Sequence, residues 1–309
     1  MQTYRLSIRP MSVFGTPLRG DTLFGQLCWA VAEHWGASRL TELLEGYTAG
    51  RPFCVLSDAL PAAHVPRPAL PTGYDGKRLA DPTQRKAEKK KAWLPVDSLR
   101  QPSSAWSRLA VSLEWRHATA QMHNSIDRRS GTTGEDGFGP YEVAQTEYRG
   151  LLDVYVVIDE ARWTAAEARA ALCAIGAFGY GRDATTGSGR FEVVTLDPLV
   201  WPRAERPNAF LTLGPCAPQG VEWDASRSWY APLVRFGRHG GRAAVSERPW
   251  KSPVLLADVG AVLTPATWAP AMFVGQGLGG DGCLSRAMAE TVHQGYAPCV
   301  PVRLAAEAA

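Results

Sequence analysis

No stretch of this 309-residue chain stays apolar long enough to cross a bilayer. Met1 to Leu6 (Met-Gln-Thr-Tyr-Arg-Leu) lacks the apolar core of a signal peptide. The expectation is a cytoplasmic protein without membrane contact. Cysteine is scarce, and Cys28, Cys54, Cys173, Cys216, Cys283 and Cys299 stand alone, with no Cys-x-x-Cys pair. That spacing argues against a thiolate zinc site and against a disulfide framework, so the six read as buried free thiols. Histidine pairs at metal spacing are missing as well, and no metal or cofactor is expected. Charge of one sign hardly accumulates: 33 Lys and Arg stand against 30 Asp and Glu, a net of +3. So mild a balance does not identify a nucleic-acid partner, and local clustering has to carry that case.

The composition that is present, 45% hydrophobic and 20% charged, suits a folded chain with a substantial core. Its length allows two domains. Tyr4 to Arg9 alternates and predicts a strand. Pro10 to Gly20 reads as a loop. Asp21 reads as the N-cap of a helix that carries Leu23, Phe24, Leu27, Cys28, Val31 and Trp35 at helical spacing and stops at Gly36. Phe53 to Leu56 predicts a second strand. Residues 61–102, rich in proline and lysine, do not look like core. Leu109 to Trp115 predicts a strand, and the polar, glycine-rich 123–139 segment a protruding loop or hairpin. Leu151 to Ile158 is the strongest strand signal. Thr164 and Glu167 form a capping box ahead of an alanine-rich helix through Phe178, and a strand is expected from Arg190 to Leu196. The order β-α-β, insertion, β, α, β is that of a ferredoxin-like, RRM-type α+β domain. Beyond a boundary near 201–207 the chain looks mostly β, with its better strands at 209–213, 232–236 and 254–263.

Three segments carry candidate chemistry. The run from Gly179 to Arg190 sets Gly179, Gly181, Gly187 and Gly189 among three hydroxyl residues, with Ser188 between the last two glycines. Glycines let a backbone approach a phosphate, free N–H groups can cradle it, and Arg182 and Arg190 can add charge-assisted bonds. A long connection that merely needs glycine turns fits the composition equally well. A dinucleotide fingerprint is excluded, because this run follows a helix and leads into a strand. A P-loop is excluded because Gly-Lys-Ser/Thr is absent. Second, Lys77 to Lys91 holds seven cations against Asp81 and Glu88, a local net of +5, with Lys89, Lys90 and Lys91 adjacent. It reads as a mobile loop suited to RNA phosphates, or as a solvated insertion. Third, His123, Asn124, Ile126, Arg128 and Arg129 combine an apolar tip with cations. Such a tip can wedge between bases while the arginines hold the backbone; in the plainer reading Asp127 and Arg128 simply pin the turn. His117, His123 and Asp127 lie close in sequence and can support acid–base RNA cleavage, although lone histidines beside strands are more often structural or solvent-facing.

Several segments together resemble one family. Phe14-Gly-Thr-Pro-Leu-Arg-Gly-Asp-Thr-Leu-Phe-Gly-Gln-Leu-Cys-Trp-Ala30 is similar to the N-terminal loop-helix of the Csm-type RAMP subunit that caps the crRNA 5′ handle in type III-A CRISPR effectors. Ser57 to Pro61 fits the same family, His123 to Arg128 with Gly131-Thr-Thr133 and Tyr141 resembles its thumb, and Gly187 to Glu192 matches the RAMP glycine-rich loop. Gly237 to Gly241, Lys251 to Pro253 and Val292 to Pro298 resemble its C-terminal blocks. The resemblance implies two ferredoxin-like domains: residues 1–200, with a basic insertion (61–102) and a thumb (117–147), and a degenerate, β-rich 201–309. It implies RNA contacts that include Arg19. The implied partners are the crRNA 5′ handle, the large polymerase-like (cyclase-like) subunit and a backbone RAMP subunit, with target RNA reached indirectly. It implies a part in antiviral defence without nuclease activity. Asp21 sits in a loop region broadly comparable to that of the target-cleaving aspartate in the sister backbone subunits. The alternative is a RAMP-type endoribonuclease that processes CRISPR RNA.

Overall fold

In the computed structural model, which describes residues 1–71, 74, 81–133 and 138–305, the alternation after Met1 becomes β1 (Gln2–Pro10). Tyr4, Leu6 and Ile8 enter the core while Arg5 and Arg9 remain exposed. Helix α1 (Gly20–Trp35) buries Leu23, Phe24, Leu27 and Val31 along one stripe and ends at Gly36, where φ is +93°. Its cap differs from expectation. The N-cap residue is Arg19, without a side-chain cap, and Asp21 lies inside the first turn with its carboxylate buried. After α2 (Ala37–Leu44), β2 (Cys54–Pro61) runs past the expected end at Leu56 and is buried along its length.

The insertion is more ordered than its composition implies. Strands β3 (His64–Pro66) and β4 (Trp93–Pro95) pair across it, and Val65, Leu94 and Leu99 are fully buried, so it does supply core. Between them lies α3 (Pro82–Lys90), where a mobile loop is expected. The Asp81 carboxylate accepts from Thr83 N–H at 2.8 Å, Pro82 stands in the first turn, and the rest is mostly good helix formers. Lys77 and Arg78 lie outside the described residues. The strand expected at 109–115 is also displaced. Trp106, buried at the start of α4 (Trp106–Leu109), turns the chain there, and the strand forms later as β5 (Arg116–His123). It pairs residue for residue with β6 (Tyr141–Tyr148) as an antiparallel hairpin.

β7 (Leu152–Ile158) is buried at every position. Both bonds of the Thr164–Glu167 capping box form at the start of α5 (Ala165–Phe178), and β8 (Phe191–Pro198) follows. These strands make one antiparallel sheet in the order β2-β7-β1-β8, with α1 and α5 packed together on one face.

A second antiparallel sheet, of order β12-β9-β16-β13, is built from β9 (Ala209–Thr212), β12 (Val262–Leu263), β13 (Phe273–Gly275) and β16 (Tyr296–Val302). β10 (Pro232–Arg235) pairs with β11 (Val254–Ala257), and β14 (Leu278–Gly279) with β15 (Val292–His293). The single strand expected over 254–263 breaks into β11 and β12 at a turn in which Ala261 N–H donates to Asp258. The two sheets share a core: Leu60 and Tyr155 of the first cluster with Leu211 and Val300 of the second. Gln294 acts as a piece of strand, its amide donating to Leu56 C=O at 2.8 Å and accepting from Leu56 N–H at 2.9 Å. Of the six free thiols, Cys54, Cys216 and Cys299 are buried, whereas Cys28 and Cys173 are only partly so and Cys283 is exposed. Among the described residues no helix is long and apolar enough to cross a membrane.

Candidate nucleic-acid interface

The loop between β1 and α1 is stitched to two other segments. Toward the glycine-rich run, Gly189 N–H donates to Val13 C=O (2.7 Å), Arg190 N–H to Ser12 Oγ (2.9 Å) and Arg182 N–H to Thr16 Oγ1 (3.0 Å). Toward the β5–β6 hairpin, Phe14 and Thr146 exchange two backbone bonds of 2.8 Å. Fully buried, Phe14 stands edge-on to Tyr148 at 5.1 Å. Two tyrosine hydroxyls then fix the turn into α1: Tyr148 accepts from Leu18 N–H (3.0 Å) and Tyr180 donates to Pro17 C=O (2.9 Å). Arg182 Nη2 donates to Ala144 C=O, joining the glycine-rich run to the hairpin directly. The β1–α1 loop, the glycine-rich run and the hairpin are one assembly.

Most of the glycines in the run are explained by the protein's own chain. A Cβ at Gly189 would overlap the Tyr180 carbonyl oxygen, and one at Gly181 would lie 2.6 Å from Thr16 Cβ. One at Gly179 would come within 2.6 Å of Ser188 C=O. Several of the loop's N–H groups donate inward, among them those of Tyr180, Gly187, Ser188 and Gly189. Ser188 is buried. Gly187 differs: its φ is +96°, it is exposed, and nothing lies within 4 Å of its missing Cβ. It is the glycine at which an external backbone finds room. The Arg190 guanidinium is exposed and donates through Nε alone to Ala177 C=O (3.2 Å).

At the hairpin tip Asp127 pins the turn, accepting from Arg129 N–H at 2.9 Å, while Gly131 N–H donates to Asp127 C=O at 2.8 Å. His123 stacks on Tyr141 at 5.6 Å. Asn124, Ile126, Arg128 and Arg129 are all exposed, Arg129 almost completely. On α3, Lys89 and Lys90 face solvent, whereas Lys91 Nζ is paired with Glu88 Oε1 at 2.6 Å.

Arg19 has a role that nothing in the sequence signals. Its Nη1 meets Asp58 Oδ2 at 2.9 Å and Asp258 Oδ1 at 2.7 Å, tying α1 to the second half of the chain. Asp58 also accepts from Gly20 N–H at 2.8 Å, so a protein carboxylate already occupies this helix N-terminus. Burial lifts the Asp58 carboxyl to about 6, against the opposing pull of Arg19 and the Gly20 amide. Next to it, Asp21 is gripped by Arg235 and lies 3.5 Å from His293 Nε2. Burial lowers His293 to about 4, although Asp21 opposes that shift, and burial likewise lowers Lys251. Gly240 and Gly241 lie against Trp29 so closely that a Cβ on either would come within 2.8 Å of the indole. The blocks at 237–241, 251–253 and 292–298 thus converge on α1. Among the described residues no group of three or more His, Cys, Asp or Glu side chains is arranged to hold a metal ion.

No protein-family model and no curated protein matches the chain. Solved structures do. A chain of the Csm1-Csm4 cassette in complex with cA4 matches at 17% identity over 98% of this chain and 99% of that one, with a TM-score of 0.59. A chain of the Csm3-Csm4 subcomplex in the type III-A CRISPR-Cas interference complex matches at 13% identity over 98% and 100%, with a TM-score of 0.58. The same cassette with pppApA matches at 15% identity over 99% of each chain, with a TM-score of 0.57. Csm4 is the component common to these assemblies, and this chain has its fold from end to end.

Proposed function

We propose that this chain is a non-catalytic RNA-binding subunit of a type III-A CRISPR effector, acting in the cytoplasm in antiviral defence. In this reading it caps the crRNA 5′ handle and joins the large polymerase-like subunit to the backbone RAMP subunits, meeting target RNA only indirectly. Both sheets are read as ferredoxin-like units, the second degenerate, with a boundary near 201–207 and a thumb at 117–147. The observation that carries the reading is the fold match to Csm4 over nearly all of both chains. The local geometry supports it. Open backbone at Gly187 lies three residues from the exposed Arg190, and Arg182 ties that loop to the hairpin bearing Arg128 and Arg129. Cations and open backbone on one assembly suit phosphates better than bases, which makes the expected contact one of position rather than sequence.

The test is to co-express the chain with its native large and backbone subunits, then sequence the RNA ends that co-purify and incubate repeat-containing RNA with the purified chain and a chelator. Handle-bearing guides in the complex and intact RNA in the incubation are expected. Cleavage that is lost on changing His117 and His123 to alanine would replace the reading with a processing nuclease.

A further inference from the structure

The face of the first sheet turned away from α1 and α5 carries a groove of about 620 Å³ that the RNA path above does not use. Its floor is built rather than incidental. Asp153, 1% exposed, accepts from Ser7 Oγ at 2.7 Å and from Ala63 N–H at 2.9 Å, so two of its four lone-pair sites remain. Ala63, in the turn between β2 and β3, holds φ of +60°, a conformation uncommon for a non-glycine residue. Beside Asp153, Tyr155 is covered by Trp201, with ring centroids 4.6 Å apart, and Trp201 keeps part of its surface open to the groove. Arg5, Arg100 and Arg203 line the walls, all exposed. Arg100 has only a loose 3.8 Å pair with Asp97, and among the described residues Arg5 and Arg203 have no ion pair.

We propose that this groove holds one nucleotide of single-stranded RNA as a second contact, separate from the glycine-rich loop and independent of the handle-capping role. The chemistry divides among the three features. Trp201 offers a stacking face for any base. Arg5 and Arg203 are free to take a phosphate through paired N–H groups. Asp153 can accept from the amino group of adenine, cytosine or guanine, whereas uracil offers only its N3–H, flanked by two carbonyl oxygens that repel the carboxylate. An acidic peptide fits less well, since it would bring carboxylates to Asp97 and Asp153 and leave the indole without a ring partner.

The experiment uses the full chain and pentameric RNAs, each carrying one 5-iodouridine, with photocrosslinked peptides identified by mass spectrometry. An adduct on the peptide containing Trp201 is expected, stronger with adenine, cytosine or guanine neighbours than with uracil alone. Arg203→Glu combined with Arg5→Glu should weaken pentamer binding about tenfold or more, since two phosphate contacts are reversed in sign. Both side chains are exposed, so the fold should hold, and circular dichroism checks it. Capture of handle-bearing guide should remain at the level of the unaltered protein. The proposal is overturned if crosslinks map only to the glycine-rich loop or hairpin, if the double variant binds pentamers normally, or if a polyglutamate peptide displaces the RNA from Trp201.

Discussion

Arg235 holds the Asp21 carboxylate with two bonds, Nε to Oδ2 at 2.5 Å and Nη2 to Oδ1 at 2.8 Å, between residues 214 positions apart in sequence. The Asp21 carboxylate is wholly buried. Removing one member therefore leaves the other uncompensated. Asp21→Ala should destabilise the protein by about 3–5 kcal/mol, whereas Asp21→Asn, which keeps an acceptor, should cost less. Urea denaturation measures both; a loss under 1 kcal/mol for the alanine variant would show that water replaces the partner.

The glycines of the 179–190 loop should separate by mechanism. Gly189→Ala should prevent normal folding, because its Cβ has no room beside Tyr180. Gly187→Ala should fold at a cost of about 1 kcal/mol for its positive φ. Gly187→Glu should fold similarly yet weaken guide capture, while Ser188→Ala, at a buried position, should leave capture nearly unchanged. Thermal unfolding measured beside RNA binding decides; native affinity in a folded Gly187→Glu variant would make the loop a connector only.

Asp58 and His293 should oppose each other on acidification. Asp58 is raised from 3.8 to about 6, so its contribution is full below 3.8 and lost as pH rises through 6. His293 is lowered from 6.5 to about 4, so its contribution is present above 6.5 and lost as pH falls through 4. Each effect is on the order of 3 kcal/mol, and between pH 6.5 and 4 they largely offset. Asp58→Asn should therefore expose a steeper loss of stability in that window, and His293→Gln a shallower one. Denaturation midpoints at pH 7, 5.5 and 4.5 test this, and parallel curves for Asp58→Asn and the unaltered protein would refute it.

The α3 lysines should act as a screened patch of unequal members. Lys89→Gln and Lys90→Gln should each lower the log–log salt slope of RNA binding by roughly 0.7. Lys91→Gln should do less, because Glu88 already pairs with it. Equal effects from all three would mean that the Glu88 pair opens when RNA binds.

At the hairpin tip, changing His123 and Asp127 together to alanine should leave target cleavage by the assembled complex intact. Asp127 pins a turn and His123 stacks on Tyr141, so the expected damage is a looser tip. Complete loss of cleavage in an assembled complex would contradict the non-catalytic reading.

What could be read from the sequence was what is local in it. The Thr164–Glu167 capping box joins residues three apart, and it appears as expected. β1 and β7 announce themselves by their own side chains. Long-range pairs leave no such mark. Asp21 looked like a cap because its partner is 214 residues away, and Arg19 looked available for RNA because Asp258 is 239 residues away. Lys89 and Lys90 were visible as cations, but the helix beneath them was masked by the prolines and glycines before it. Glycine content marked the 179–190 loop correctly, yet only the neighbours reveal that Gly189 abuts Tyr180 while Gly187 abuts nothing. β16 was hidden by Pro298 and Pro301, which stand in the middle of a sheet.

The Gln294 side chain that completes the edge of β2 is 238 residues from Leu56 in sequence. At a synthesis rate of about 5–20 residues per second, β2 waits on the order of tens of seconds on the ribosome before its partner exists. Until then Leu60, and Tyr155 once it is made, lack Leu211 and Val300, which join them in the finished core. The early-made sheet thus carries uncovered apolar surface and an unpaired edge until the late-made one arrives.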